Sequence, residues 1–268
     1  MQADEVMRID VYLTELGYAE SRTQARRLIE EGAVLLDGVP VTKASFPIDE
    51  ALSHTLKIAQ RQKYVGRGGL KLEKALEVFS VSPKGLCALD VGASTGGFTD
   101  CLLQHGAAKV YAVDAGEGQL ARRLLADERV INMEKYNARN LSPLDFPTTP
   151  DVAVMDVSFI SQTLILPALS GVLREGGVLI SLIKPQFEAG RGAIGKNGIV
   201  KSASDRRLAI ERVLDSAAAC GLACFGLDLS PILGGDGNTE YIAAFRKGGE
   251  ATVDRRICKV LAEGRESK

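Results

Sequence analysis

Histidine is almost missing: 268 residues hold only His54 and His105. That scarcity removes two kinds of chemistry. A zinc site needs a cluster of Cys and His ligands. The five cysteines (Cys87, Cys101, Cys220, Cys224 and Cys258) form no C-x-x-C pair and sit mostly among apolar residues. They read as buried free thiols in a reducing cytoplasm, and no metal is expected. A serine hydrolase is excluded as well. Gly92-Ala93-Ser94-Thr95-Gly96 matches the G-x-S-x-G nucleophile elbow, but that fold takes its histidine from downstream, and none follows His105. No apolar run reaches the ~18–20 residues that cross a bilayer. The start, MQADEVMRID, lacks the charged-then-apolar pattern of an export signal. Excess charge is also lacking, with 33 basic against 34 acidic residues. The whole chain therefore does not announce a nucleic-acid partner. Residues 57–74 do so locally: Lys57, Arg61, Lys63, Arg67, Lys71 and Lys74 face Glu73 alone.

Apolar residues make up 46% of the chain, ample for a core. The centre of the pattern is LCALDVGASTGGFTD, residues 86–100. An apolar strand runs into a glycine turn and then into a helix from Phe98, the opening unit of a nucleotide-binding α/β fold. Glycine is needed there because a Cβ would hold the backbone away from a ligand. The spacing is G-x-S-x-G-G rather than G-x-G-x-x-G, which disfavours a pyrophosphate cofactor. Asp90, just before the turn, suits a ligand with an amine or hydroxyls. Asp114 ends the next strand, KVYAVD, where an acid suits a ribose diol. Together these favour S-adenosylmethionine over a generic Rossmann-like turn.

Residues 7–59 read as a separate small unit. A short helix over 8–16 stops at Gly17. Ser21-Arg22-Thr23-Gln24 is a capping box opening a second helix that ends at Gly32, and Asp37-Gly38 turns a hairpin. This stretch resembles an S4 domain, a small RNA-binding module. The resemblance implies that Arg22, Arg26, Arg27 and Lys43 face RNA phosphates. By charge alone the helix reads equally as a solvated face balanced by Glu30 and Glu31. Residues 60–70, QRQKYVGRGGL, read as a basic, glycine-rich linker in which Lys63 and Arg67 would also meet RNA. The expected domains are thus an α+β S4-like domain over 1–59, the linker over 60–70, and an α/β domain over 71–268.

In that larger domain strands alternate with helices. Strands are expected over 86–91, 109–114, 130–133, 151–156 and 177–183, with helices near 97–105, 118–126 and 162–174. A long loop over 185–201 follows, then a helix over 202–220 and strands over 222–229 and 239–245. A terminal helix is expected over 255–265. The pattern is a doubly wound, Rossmann-like parallel sheet. Ligands bind beyond the carboxyl ends of such strands. Asp156 closes DVAVMD, and Lys184 closes GVLISLIK. If the last strand runs antiparallel, Glu240 at its start joins them, and Lys71 can reach the same rim. Lysines and carboxylates around such a pocket suit deprotonation of a poor acid such as a ribose 2′-hydroxyl. The lysine would act as a neutral base or as a stabiliser of the developing alkoxide, and the sequence leaves that choice open.

Taken together, the S4-like stretch, YVGRGGLKL, LDVGASTGGFTD, VDAGEGQL, MDVSFIS, LIKPQFE and GNTEYIAAF resemble the TlyA family of ribosomal RNA 2′-O-methyltransferases, related in the catalytic domain to FtsJ-type enzymes. The resemblance implies methylation of cytidine 2′-hydroxyls in ribosomal RNA, free or in subunits. It implies a tetrad of Lys71, Asp156, Lys184 and Glu240, with Lys184 central and Asp156 orienting it. It implies S-adenosylmethionine held by Gly92, Ser94, Thr95, Gly96, Gly97, Phe98 and Asp114, with Asn137 near the adenine. Where some members carry R-x-W-V in the joint, this chain has Gln62-Lys63-Tyr64-Val65. The loop over 185–201 reads either as a flexible surface loop or as a lid using Arg191 and Lys196 on phosphates. Two other classes compete: a non-catalytic RNA-binding protein on a methyltransferase-like scaffold, and the membrane-active haemolysin that this family's other name suggests.

Overall fold

The computed structural model describes residues 6–19, 21–30, 32–49, 54–58, 63–195, 197–234 and 237–264, without the side chains of Val6, Arg27 and Arg191. The chain divides into two compact units, Met1–Gln62 and Lys63–Lys268. Each packs around its own core.

The smaller unit runs β1 (Val6–Arg8), α1 (Ile9–Glu15), α2 (Arg22–Glu30), β2 (Val34–Leu36), β3 (Val39–Pro40), β4 (Pro47–Asp49) and β5 (Leu56–Ile58). Both helices follow their apolar spacing, which puts Ile9, Leu13, Ala25 and Ile29 in the core. Ser21 Oγ accepts from the Gln24 N–H at 3.3 Å, capping α2. The hairpin turn has φ of 49° at Asp37 and 83° at Gly38, as a tight two-residue turn requires. β1 pairs with β4, and β5 with β2. β1, β4 and β5 were not foreseen; at three residues each, alternation cannot show.

The larger unit opens with α3 (Gly68–Val78), then β6 (Cys87–Val91), α4 (Gly97–Gln104), β7 (Lys109–Val113), α5 (Arg122–Leu125) and β8 (Val130–Met133). It continues with β9 (Val152–Met155), α6 (Leu166–Val172), β10 (Val178–Ile183), α7 (Pro185–Glu188), α8 (Ala203–Ala219), β11 (Leu222–Leu229), β12 (Tyr241–Lys247) and α9 (Arg256–Glu263). One seven-stranded sheet results, ordered β11-β12-β10-β9-β6-β7-β8. Alternate residues feed opposite faces: Leu89 and Val91 join one core, Ala88 and Val154 the other. Burial on both faces explains why these strands are apolar throughout rather than alternating.

Three expectations need correction. The sheet is mixed, not wholly parallel, because β12 runs against both β10 and β11. Its link from β11 carries no helix among its described residues, so it returns as a hairpin instead of crossing over. The helix expected over 162–174 is a 3₁₀ turn, Gln162–Leu164, followed by α6, with Pro167 in the first turn of α6. The joint expected over 60–70 is packed structure from Lys63 onward. Tyr64 is buried, the Val65 N–H donates to Asp100 Oδ2 at 2.8 Å, and α3 already begins at Gly68. Gly69 is what permits this: a Cβ there would lie 2.2 Å from the Tyr64 ring. Residues 60–62 lie outside the described residues.

Candidate active site

The carboxyl ends of β6, β7, β9 and β10 form one rim, and the antiparallel β12 begins there. Its register pairs Tyr241 with Ile183, so Glu240 and Lys184 come off neighbouring strands at the same edge. Lys184 caps the start of α7, whose first residue is Pro185, so the chain turns off the sheet at this lysine. Its Nζ lies 2.5 Å from Asp156 Oδ1 and donates to Ser158 Oγ at 2.8 Å. The approach to Asp156 is close but off hydrogen-bond alignment; the amine is aimed at Ser158. A second pair sits beside the first. Lys71 of α3 donates to Glu240 Oε2 at 2.5 Å, with both side chains buried. The start of α3 overlies Asp156, since a Cβ on Gly68 would stand 3.8 Å from Asp156 Oδ2. Lys71, Asp156, Lys184 and Glu240 thus meet as two lysine–carboxylate pairs on one rim.

Two cavities adjoin them. One, of about 400 Å³, is lined by Gly92, Ser94, Asp114, Asn137, Asp156 and Ser158 among others. The other, of about 210 Å³, takes in Thr95, Gly97, Phe98, Arg67, Asp156 and Lys184. Gly92, Ser94, Asp156 and Ser158 face both. Asp114 holds the turn in shape: its carboxylate accepts from the Ser94 N–H at 2.8 Å and the Gly116 N–H at 2.7 Å. A carboxylate has roughly four lone-pair sites, so capacity for a diol remains.

Two residues of the expected cofactor set line neither cavity. Gly96, at φ 95°, turns toward Leu120 and Leu124, and a Cβ there would lie 2.2 Å from Leu124. Its requirement is packing against α5. Asp90 is wholly buried behind the turn, where it accepts from Thr99 Oγ1 at 2.6 Å and keeps Oδ1 without a partner. Burial pushes its carboxyl up to about 7, and the Asp156 and Asp114 charges add to this against the Thr99 hydrogen bond. In the unfolded chain the same carboxyl ionises near 4. Between pH ~4 and ~7 the unfolded state therefore sheds a proton that the folded state keeps, and stability falls as pH rises, by at most ~1.4 kcal/mol per pH unit. Asp90→Asn removes that limb, and thermal melts across this range check it. Equal slopes in variant and wild type would refute the shift.

The FtsJ-like methyltransferase family matches residues 64–247, and the S4 domain matches residues 7–51. The chain belongs to the FtsJ-like methyltransferase family, as a TlyA-type member with an S4 domain. Hemolysin A of Brachyspira hyodysenteriae is 43% identical over 240 residues, covering 89% of this chain and 99% of that protein. The 16S/23S rRNA (cytidine-2′-O)-methyltransferase TlyA of Mycobacterium tuberculosis is 40% identical over 259 residues, covering 93% and 97%. A solved structure of a haemolysin-labelled protein from Streptococcus thermophilus superposes with a TM-score of 0.75 at 44% identity, covering 98% of this chain and 96% of that one.

The family's basic residues are distributed unevenly. Arg22 and Arg26 are half-exposed and contact Asp10. Lys43 is exposed. Lys63 is half-exposed and paired with Glu73, while Lys74 is spent on Asp228 and the Leu229 carbonyl. The side chains of Arg27 and Arg191, and Lys196 entirely, lie outside the described residues. The expected long loop at 185–201 begins as helix α7, and a 3₁₀ turn follows at Arg191–Ala193. Glu188 anchors α7. It is buried and accepts from Ser161 Oγ at 2.5 Å and the Gln162 N–H at 2.9 Å.

Sequence reasoning missed Ser158 and Phe159. Ser158 had a signal, a hydroxyl two residues after a strand-end acid. Phe159 carried no separate signal; it is 93% exposed at φ 63°, on the wall of the larger cavity and 5.3 Å from the Phe187 ring.

Proposed function

We propose that this chain methylates the 2′-hydroxyl of cytidine ribose in ribosomal RNA, using S-adenosylmethionine, in the cytoplasm where ribosomes are. The observation that carries the reading is the double lysine–carboxylate rim beside a glycine turn. The names of the relatives supply the acceptor. The Mycobacterium tuberculosis protein is named for 16S and 23S rRNA, and the Campylobacter jejuni one, 33% identical over 263 residues, for 23S rRNA alone.

The cofactor fits these residues. Gly92 and Ser94 have φ of 86° and 48°, and a Cβ at Gly92 would fill the space where the turn approaches Asp156. Asp114 has lone pairs for the ribose diol, and Asn137 stands on the same cavity wall. When bound, S-adenosylmethionine supplies an electrophilic methyl group. The remaining work falls to the protein. Asp156 and Ser158 hold the Lys184 amine in place, so that it meets the hydroxyl as base or stabilises the alkoxide charge. Glu240 fixes Lys71 as a second cation at the rim. Positioning the hydroxyl in line supplies much of the rate. Phe159, an exposed ring at the rim, offers a face on which an unstacked base can lie. The S4 domain supplies the phosphate contacts that hold the RNA.

The reaction is tested by transfer of a labelled methyl group to purified small and large subunits and to naked 16S and 23S rRNA. The expected product is an alkali-resistant labelled dinucleotide, the mark of a 2′-O-methyl. Label released on a base would keep the enzyme but overturn the ribose acceptor, and no label despite calorimetric binding of S-adenosylmethionine would leave the scaffold reading in its place. No helix among the described residues is long and apolar enough to cross a membrane. Leakage of dye from neutral liposomes tests the haemolysin reading directly.

A further inference from the structure

The smaller unit buries the Asp10 carboxylate. Asp10, in the first turn of α1, has a side chain with 0% exposure. Arg8, at the end of β1, donates Nε to Oδ1 at 2.9 Å and Nη2 to Oδ2 at 3.2 Å. Arg22 and Arg26, one turn apart on α2, reach Oδ2 through Nη2 at 3.3 Å and Nε at 3.1 Å. Three guanidiniums from two elements therefore converge on a single acid. All three remain about half exposed, at 46%, 53% and 51%. Each guanidinium has five N–H donors. On Asp10, Arg8 spends two and Arg22 and Arg26 one each, so the carboxylate holds the forks without consuming them.

A carboxylate in a basic binding face is a cost by charge counting, since it repels phosphate. It is a gain if it fixes side chains that would otherwise lose rotamer freedom on binding. Burial pushes the Asp10 carboxyl up, but hydrogen bonds from Arg8, Arg26 and Arg22 outweigh this and hold it at about 2. The anchor is therefore ionised throughout the physiological range, and the cluster keeps a surplus of two positive charges. Arg8 was not recognisable from sequence, because it lies on a three-residue strand and its link to α2 runs only through Asp10.

We infer that Asp10 is a positioning residue for RNA binding: its buried carboxylate gathers Arg8, Arg22 and Arg26 into one preformed phosphate-binding cluster. The inference rests on the reading that this unit binds ribosomal RNA. Its consequence runs opposite to net charge. Removing the anion makes the protein more positive, yet RNA should bind less tightly.

The test uses the full chain, with end-labelled 16S and 23S rRNA transcripts, from ~50 to ~300 mM KCl. Arg22→Ala and Arg26→Ala are each expected to weaken binding several-fold and to flatten the salt dependence by about one unit of slope. Asp10→Asn is expected to weaken binding by about fivefold. The Arg26→Ala effect should shrink in the Asp10→Asn background, since an unanchored arginine has less to lose. If the arginine variants weaken binding but Asp10→Asn leaves it equal or tighter, the positioning inference is overturned while RNA binding by this face stands. If the arginine variants bind like wild type, the RNA reading of this face falls and takes the inference with it. Circular dichroism melts establish that each variant is folded at the assay temperature. Should Asp10→Asn be unfolded there, Arg26→Lys decides: it keeps the charge and loses the Nε contact. A loss of about threefold supports the inference, and wild-type affinity overturns it.

Discussion

Lys184→Ala is expected to reduce single-turnover methyl transfer by ~10²–10⁴-fold while leaving S-adenosylmethionine affinity nearly unchanged. The lysine directly follows β10, and its Nζ is held between Asp156 at 2.5 Å and Ser158 at 2.8 Å. General base action is typically worth ~10²–10⁴, and one oxyanion donor ~10²–10³, so losing the group forfeits a factor in that range by either route. The fold should survive. Asp156 keeps 20% of its side chain exposed, so water can reach the orphaned carboxylate and the full cost of an unpaired buried charge is not incurred. Lys184→Arg separates the two roles. A guanidinium stays charged and cannot take the proton, so substantial residual rate would assign the lysine to electrostatics, and a loss as deep as alanine's would assign it to proton transfer or to exact placement. Full activity in Lys184→Ala would remove this residue from the chemistry.

How much of this rim was readable in advance depended on what each feature needs. Strand ends were readable, because Val152–Met155 is a continuous apolar run and Val178–Ile183 is broken only by Ser181, and Asp156 and Lys184 end the pattern directly after them. That placed Asp156 and Lys184. Glu240 required knowing the direction of β12, which is set by a hairpin return that composition does not encode. The pairing of Lys71 with Glu240 joins residues 169 positions apart, and no local signal carries such a partner. Charge density misled in part. The basic run over 57–74 looked uniform, but Lys71 and Lys74 are tied to Glu240 and Asp228, whereas Lys57, Lys63 and Arg67 are exposed. Glycines misled in a different way. The turn residues looked alike on paper, whereas Gly92 lines both cavities and Gly96 serves packing against α5. In the smaller unit, capping and turn chemistry marked α2 and the hairpin, while the Asp10 cluster depended on a strand too short to show.

Gly92→Ala is expected to cost ~3 kcal/mol or more and to weaken S-adenosylmethionine binding by at least ~100-fold. Two independent penalties coincide. Gly92 has φ 86°, where an L side chain costs ~1–2 kcal/mol. The added Cβ would lie 2.5 Å from the Asp156 carbonyl oxygen and 3.0 Å from its carbon. Neither neighbour can yield cheaply. The Gly92 N–H is bonded to Val113 O at 2.8 Å on one side, and the Asp156 N–H to Val91 O at 3.0 Å on the other. Relief of the clash must therefore move the backbone that carries Asp156, and with it the partner that holds Lys184. Catalysis should fall along with binding, unlike in Lys184→Ala, where binding is spared. Gly118→Ala is the control. Its φ is 66°, but nothing lies within 4 Å of the new methyl, so only the conformational cost of ~1 kcal/mol applies. Denaturant unfolding and calorimetry on the two variants decide the matter. If Gly92→Ala is no worse than Gly118→Ala, close approach of the turn to Asp156 is not what the glycine provides, and the coupling between cofactor turn and catalytic rim fails with it.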